Sequence, residues 1–285
     1  MKMPKLFKNV IIALVIICGL SVSLLSRNII ISSHKKTVPT SNCSNNIKAT
    51  NSNNLDTKEY NWYFKHVKNG VPPVEPPETA SFFSKYDTYF LGDTSKKVIY
   101  LTFDEGYENG YTGPILDVLK KHKVPAAFFV VKPYIDTNPD LVKRMVEEGH
   151  LVCNHSWHHP SMASIHDKEK FNRELSEVEK DFEKLTGKKM PHYFRPPMGK
   201  YSEQSLAFTK DYGYKSIFWS FAYADWDPKK QPSHEFAKKK ILDKTHNGAI
   251  MLLHAVSKTN AEILDDVITE WKKQGYELRP LTDFN

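Results

Sequence analysis

Cysteine is scarce in this 285-residue chain: only Cys18, Cys43 and Cys153 are present. No two of them have the spacing of a zinc ligand set or a disulfide framework. Cys153 falls in an apolar run and reads as a small core hydrophobe. No His-Glu-x-x-His sequence occurs, which argues against a zinc peptidase site carried on one helix. A charge excess is also missing where it would matter. The formal charge of +7 is confined to residues 1–58, where eight Lys or Arg (Lys2, Lys5, Lys8, Arg27, Lys35, Lys36, Lys48, Lys58) face Asp56 alone. Residues 59–285 hold 32 basic and 32 acidic residues. That balance excludes the electrostatic footprint of a nucleic-acid-binding domain.

What is present begins with Lys2, Lys5 and Lys8 ahead of an apolar run from Val10 to Leu25. Basic then hydrophobic is the layout of an export signal. The run is short against the roughly 20 residues of a full span, and no small-x-small cleavage site follows. Residues 1–30 therefore read as a signal peptide or, slightly favoured, an N-terminal membrane anchor. The lysines place the N-terminus in the cytoplasm and the rest outside. Ile17 before Cys18 is a poor lipidation context. Residues 31–58, rich in Ser, Asn, Thr and Lys, read as a flexible linker, since they cannot bury enough apolar surface to offset ordering entropy. Residues 59–94, with Trp62, Tyr63, Phe64 and the proline-rich stretch 71–78, read as an ordered wrapping segment.

From Val98 a rhythm of strand-length apolar runs and helical periods sets in. The strand candidates are 98–103, 126–131, 150–154, 192–195, 215–221, 249–253 and 276–280. Phe171, Leu175, Val178, Phe182 and Leu185 trace one face of a helix, as do Ile263, Leu264, Val267, Ile268 and Trp271. Asn138-Pro139 has the form of an N-cap followed by proline at the first helical position. Gly149, Gly187, Gly213 and Gly275 stand where helices end. Strands alternating with helices imply an α/β fold with a parallel sheet and right-handed crossovers. An open doubly wound sheet and a closed barrel both fit.

The polar residues fall at one end of that sheet. Asp104 follows the first strand, His155 the third, Arg195 closes the fourth, Asp225 comes after the fifth, and His254 after the sixth. The carboxyl ends of parallel strands are where such folds place their sites. His155 and His159, four apart, would share a metal ion if they lay on one helical turn; His158 fits the other side. For an isolated pair, two ordinary loop histidines are an equally good reading. In the pair Asp104-Glu105, one carboxylate suits a general base and the other a metal ligand. Arg195, stiffened by Pro196-Pro197, suits orienting a carboxylate; a plain surface arginine is the bland alternative. His254 suits protonating a leaving group, with Asp225 to orient it and Trp226 as an aromatic wall, although His254 and Trp226 also fit a plain core.

TFDEG at 102–106, HSWHHP at 155–160, RPPMG at 195–199, Asp225-Trp226 and IMLLH at 250–254 resemble, in order, the signature of the polysaccharide deacetylases (NodB-homology, carbohydrate esterase family 4). The resemblance covers roughly residues 95–285. The stretches 89–97, TFDEGYENGYT, FWSFAYADWD and LLHAVSKTNAEILDD resemble the subgroup of delta-lactam-biosynthetic muramic acid deacetylases.

That resemblance implies a distorted (β/α)7 barrel over 95–285. It implies removal of the N-acetyl group from muramic acid in peptidoglycan, a step toward the muramic δ-lactam of spore cortex. Residue by residue, it implies Asp104 as base, Arg195 as its orienting partner, His254 as acid with Asp225, and His155, His159 and Glu105 as ligands of a divalent metal, zinc. Tyr201, Met198 and Trp226 are expected to line the substrate groove. One departure stands out: most of the family has a second aspartate where this chain has Glu105. The extra methylene moves the carboxylate by roughly a bond length, whereas ligand distances tolerate about 0.2 Å, so the metal is expected to be held less securely. The expected partner is a peptidoglycan glycan strand. Membrane contact is expected through the N-terminal segment only. The protein is expected to be monomeric and extracytoplasmic, in the cell wall or spore envelope. Deacetylation of N-acetylglucosamine or chitooligosaccharides, or a non-catalytic glycan-binding module, are the alternatives.

Overall fold

The structure is a computed structural model that describes residues 55–284. The expectations for residues 1–30, and for 31–54 of the linker, lie outside the described residues. Among the described residues no helix is long and apolar enough to cross a membrane.

The strands are β1 (Tyr60–Asn61), β2 (Thr88–Tyr89), β3 (Val98–Glu105), β4 (Ala127–Val130), β5 (Leu151–Asn154), β6 (Tyr193–Phe194), β7 (Lys200–Tyr201), β8 (Lys215–Ile217), β9 (Ala249–His254) and β10 (Glu277–Leu278). The helices are α1 (Thr112–His122), α2 (Lys132–Thr137), α3 (Pro139–Glu147), α4 (Lys168–Thr186), α5 (Glu203–Asp211), α6 (His234–Lys244) and α7 (Lys258–Lys273). One parallel sheet runs β10-β3-β4-β5-β6-β8-β2, and β9 pairs with β3 over Ile99–Asp104. Beyond β8 the chain rejoins β9: Ser220 N–H donates to Ile250 O (3.0 Å), and Leu252 N–H donates to Phe221 O (2.9 Å). These bonds curl the sheet round on itself, giving the distorted α/β barrel. The expected strand 215–221 is thus divided: β6 and β2 flank its first half and β9 pairs with its end.

Both faces of β3 are buried, which is why its sequence is a continuous apolar run rather than an alternating one. Ile99, Leu101 and Phe103 pack outward against α1 and α7, with Ile115, Leu116, Leu264, Ile268 and Trp271. Val98 and Tyr100 face inward to Phe129, Cys153, Ile217 and Ile250. Helices α4 to α7 begin on side-chain caps. Asp167 accepts from Lys170 N–H at 2.8 Å, and Ser257 accepts from Asn260 N–H at 3.1 Å. Helix α4 stops at Gly187, whose φ of 68° is the left-handed turn glycine enters without a Cβ clash. Asn138 precedes Pro139 as expected, but its amide donates back to Tyr134 O and Thr137 Oγ1 instead of accepting from α3.

The segment 59–94 lies against the residues after Arg195. β1 pairs antiparallel with β7, and Trp62 stacks on Phe83 beside Tyr201 and Phe218. Gly199 permits this: a Cβ there would meet the Trp219 ring at 2.8 Å.

Candidate active site

At the carboxyl end of the sheet lies a cavity of about 770 Å³. Asp104, His155, His159 and His254 line it, with walls from Trp219, Tyr223, Leu252 and Val256 and a mouth flanked by Tyr107, Met198 and Trp226.

Asp104 ends the inward row of β3. The fully buried Arg195 reaches it from the far side of the barrel: Nη1 donates to Asp104 Oδ1 (2.7 Å), Nη2 to Thr102 Oγ1 (2.9 Å) and Nε to Ile217 O (3.1 Å). The guanidinium also lies 4.1 Å from the centroid of the Phe129 ring. Burial works against ionisation of Asp104. The charges of Arg195, then His155 and His254, outweigh it and hold the carboxyl below its ordinary range. Oδ1 is therefore occupied, and Oδ2 stands 3.6 Å from His155 Nε2.

His155 donates Nδ1–H to Arg195 O at 2.8 Å, since a carbonyl only accepts, and this leaves the Nε2 lone pair free. Burial lowers its pKa to about 4, so the ring is neutral at physiological pH. His159 meets it with ring centroids 4.9 Å apart. The pair does not share a helical turn, as the spacing suggested. Residues 155–159 form an irregular turn with Ser156 at φ 72° and His159 at φ 58°. His158 points away and pairs with Glu174 at 2.7 Å.

On the neighbouring strand β9, in register with Asp104, His254 donates Nδ1–H to Asp225 Oδ1 (2.7 Å), which turns Nε2 away from Asp225. Asp225 is fully buried, and its Oδ2 accepts from His254 N–H (2.9 Å) and Asn260 Nδ2 (2.6 Å). Burial alone would depress the pKa of His254. The Asp225 charge and hydrogen bond outweigh it, and the pKa is raised.

Two expected site residues are placed elsewhere. Tyr201 does not line the cavity: pairing of β7 with β1 turns it into the aromatic cluster, fully buried, with its hydroxyl on Thr79 Oγ1 at 2.9 Å. Glu105 is also absent from the cavity. The strand runs through both acidic residues, and successive side chains of a strand point to opposite faces. Glu105 thus follows Leu101 and Phe103 toward α1 and α2. Its two oxygens are buried without a partner, and burial, with the charges of Glu108 and Asp104, pushes its pKa well up. Trp226 and Met198 stand at the mouth as expected, 60% and 52% exposed. Tyr107, Tyr223 and Asn260 are parts of the site that sequence reasoning did not single out. Only the turn signal after Asp104-Glu105 and the Ser-x-x-Asn helix start at 257–260 hinted at the first and last of them.

A curled parallel α/β barrel with two acid–base pairs set side by side at one cavity defines a hydrolase of the general acid–base type. The polysaccharide deacetylase family matches residues 91–217, and the chain belongs to that family, the family 4 carbohydrate esterases; it is an N-deacetylase. It is 46% identical over 223 residues to the peptidoglycan-N-acetylmuramic acid deacetylase PdaA of Bacillus subtilis, covering 78% of this chain and 84% of that protein. The solved structure of B. subtilis PdaA, a family 4 carbohydrate esterase, superposes with a TM-score of 0.78 at 44% identity, over 81% of this chain and 98% of that one. The peptidoglycan-N-acetylglucosamine deacetylase PgdA of Listeria monocytogenes is 39% identical over 183 residues, covering 64% of this chain and 38% of that protein.

Deacetylases of this family are metal-dependent. His155, neutral and with its other nitrogen donating to a carbonyl, has the chemistry of a ligand, and His159 is beside it. Among the described residues, however, no group of three or more His, Cys, Asp or Glu is arranged to hold a metal ion. The expected third ligand, Glu105, is on the other face of β3. The three-ligand set is not assembled among the described residues.

Proposed function

We propose that this chain removes the N-acetyl group from muramic acid residues of peptidoglycan, a step toward the muramic δ-lactam of spore cortex. The observation that carries the chemistry is that Asp104, held by Arg195, and His254, held by Asp225, stand side by side on paired strands at one cavity. The sugar is inferred from the likeness to PdaA. In this reading residues 1–30 export or anchor the chain, 31–58 tether it, 59–94 wrap it and 95–285 carry catalysis. The protein works outside the cytoplasm, as a monomer, on glycan strands.

Arg195 holds Oδ1 of Asp104 and leaves Oδ2 to take a proton from water. The resulting hydroxide adds to the acetamide carbonyl carbon. The carbon–nitrogen bond then breaks, and His254 Nε2 gives its proton to the departing nitrogen. Acetate and the free amine result. Asp225 keeps the imidazole in the tautomer and orientation this needs. Met198 and Trp226 contact the glycan at the mouth.

The test is mass analysis of muropeptides after incubation with intact and stem-peptide-free peptidoglycan. Acetyl loss from muramic acid is expected, and Asp104→Asn should abolish it while the fold survives. Native-rate acetate release by Asp104→Asn would overturn the assignment of the base. Acetyl loss confined to glucosamine would replace the substrate with the second reading, N-acetylglucosamine or chitooligosaccharides, which the likeness to PgdA favours.

A further inference from the structure

The Asp225–His254 pair is not held by its own two residues. Asn260, in the first turn of α7 and fully buried, donates Nδ2 to Asp225 Oδ2 (2.6 Å) and to His254 O (3.1 Å). Both partners only accept, so they fix which end of the amide is which. The other end, Oδ1, accepts from the hydroxyl of Tyr223, a residue of the cavity wall. The loop that carries Asp225 is stapled to the same helix end. Gln231 Nε2 donates to Asp225 O (3.0 Å), and its Oε1 accepts from Ser257 Oγ (2.7 Å) and Thr259 N–H (3.2 Å).

A buried asparagine this close to a helix N-terminus would ordinarily serve the helix. Here that duty falls to Ser257, which accepts the Asn260 N–H. The Asn260 side chain instead brackets the imidazole, with one bond to the carboxylate that orients it and one to its own carbonyl. We infer that Asn260, steadied by Tyr223, is a positioning residue that sets the angle of the Asp225–His254 pair toward the substrate nitrogen. This rests on the reading of His254 as the acid.

The test is steady-state kinetics of Asn260→Ala, Tyr223→Phe and His254→Ala, and of Asn260→Ala combined with His254→Ala. Asn260→Ala is expected to lower kcat by up to roughly a hundredfold, the scale of an ångström misplacement, with KM little changed and the alkaline limb of the pH profile moved to lower pH. Tyr223→Phe, which removes one hydroxyl, should move kcat and that limb the same way by less, and it serves if Asn260→Ala does not fold. In the His254→Ala background Asn260→Ala should add almost nothing. If His254→Ala is crippled but Asn260→Ala and Tyr223→Phe keep native kcat and limb, the positioning role is wrong and the acid assignment stands. If His254→Ala keeps native activity, the acid assignment itself fails.

Discussion

Asp104 and Arg195 are 91 positions apart in the chain and 2.7 Å apart in the fold, with the guanidinium fully buried inside the barrel. A cation in that position is tolerated only when its donors are satisfied, and three of them are, by Asp104, Thr102 and Ile217. The same contact that makes burial of Arg195 tolerable also fixes which oxygen of Asp104 faces the cavity.

Removing one partner should therefore hurt more than removing both. Arg195→Met is expected to lower unfolding free energy by about 3–5 kcal/mol, the cost of stranding a buried charge, as read by denaturant titration. Asp104→Asn in the same chain should recover part of the loss. The sign with pH follows from the depressed carboxyl of Asp104. In the native chain its contribution is present above the ordinary aspartate pKa and is lost as pH falls through the folded value, so the gap between native and Arg195→Met should narrow in acid. A gap independent of pH would show that the pair does not carry the effect.

The pH dependence of turnover should be bell-shaped. Asp104 acts deprotonated and His254 protonated, and their shifts move the two limbs apart: the acid limb below the usual aspartate range, the alkaline limb above the usual histidine value. Activity is lost as pH rises through the folded pKa of His254. Asp225→Asn removes the charge that holds that proton, and the alkaline limb should move to lower pH. An alkaline limb unmoved in that variant would mean another group supplies the proton.

The order and placing of Asp104, His155, Arg195 and His254 were legible because each ends or follows an apolar strand, and an apolar run is a local signal. Glu105 was misjudged by a boundary. A strand over 98–103 leaves both acids beyond its end, where no strand alternation separates them. Two more residues of strand put them on opposite faces. Tyr201 was misjudged for a different reason, since its burial comes from pairing with Tyr60, which lies far back in the chain. The turn at 155–159 depends on left-handed backbone at Ser156 and His159, which neither residue type announces. Asn260 was hidden among ordinary helix polar residues.

Glu105 is a buried carboxyl without a hydrogen bond, with a raised pKa. Such a group leaves stability intact below its unfolded pKa, and stability falls as pH rises toward the folded value. Glu105→Gln should therefore raise the melting temperature near neutral pH and flatten its decline from acid to neutral. If the side chain stays on the helix-facing side, zinc titration by calorimetry should give the same affinity for Glu105→Gln as for the native chain, and a much weaker one for His155→Ala or His159→Ala. A sharp loss of zinc in Glu105→Gln would contradict the placement seen here.

Met198 separates strain from function. Its φ of 58° and ψ of 8° lie in the left-handed region, with the side chain 52% exposed at the cavity mouth. For a residue with a Cβ that conformation costs about 1–2 kcal/mol, and a half-exposed methionine returns little burial energy. Glycine would relieve the strain but enlarge the unfolded ensemble, an opposing effect of about 0.4–1 kcal/mol. Met198→Gly should therefore change stability by no more than about 1 kcal/mol, whereas Met198→Val, β-branched at positive φ, should be clearly destabilised. If the side chain is kept for contact with the glycan, Met198→Gly should raise KM severalfold while kcat moves less, because that contact is made equally in the ground and transition states. A stable Met198→Gly enzyme with native KM would leave the strained backbone without a role in substrate binding.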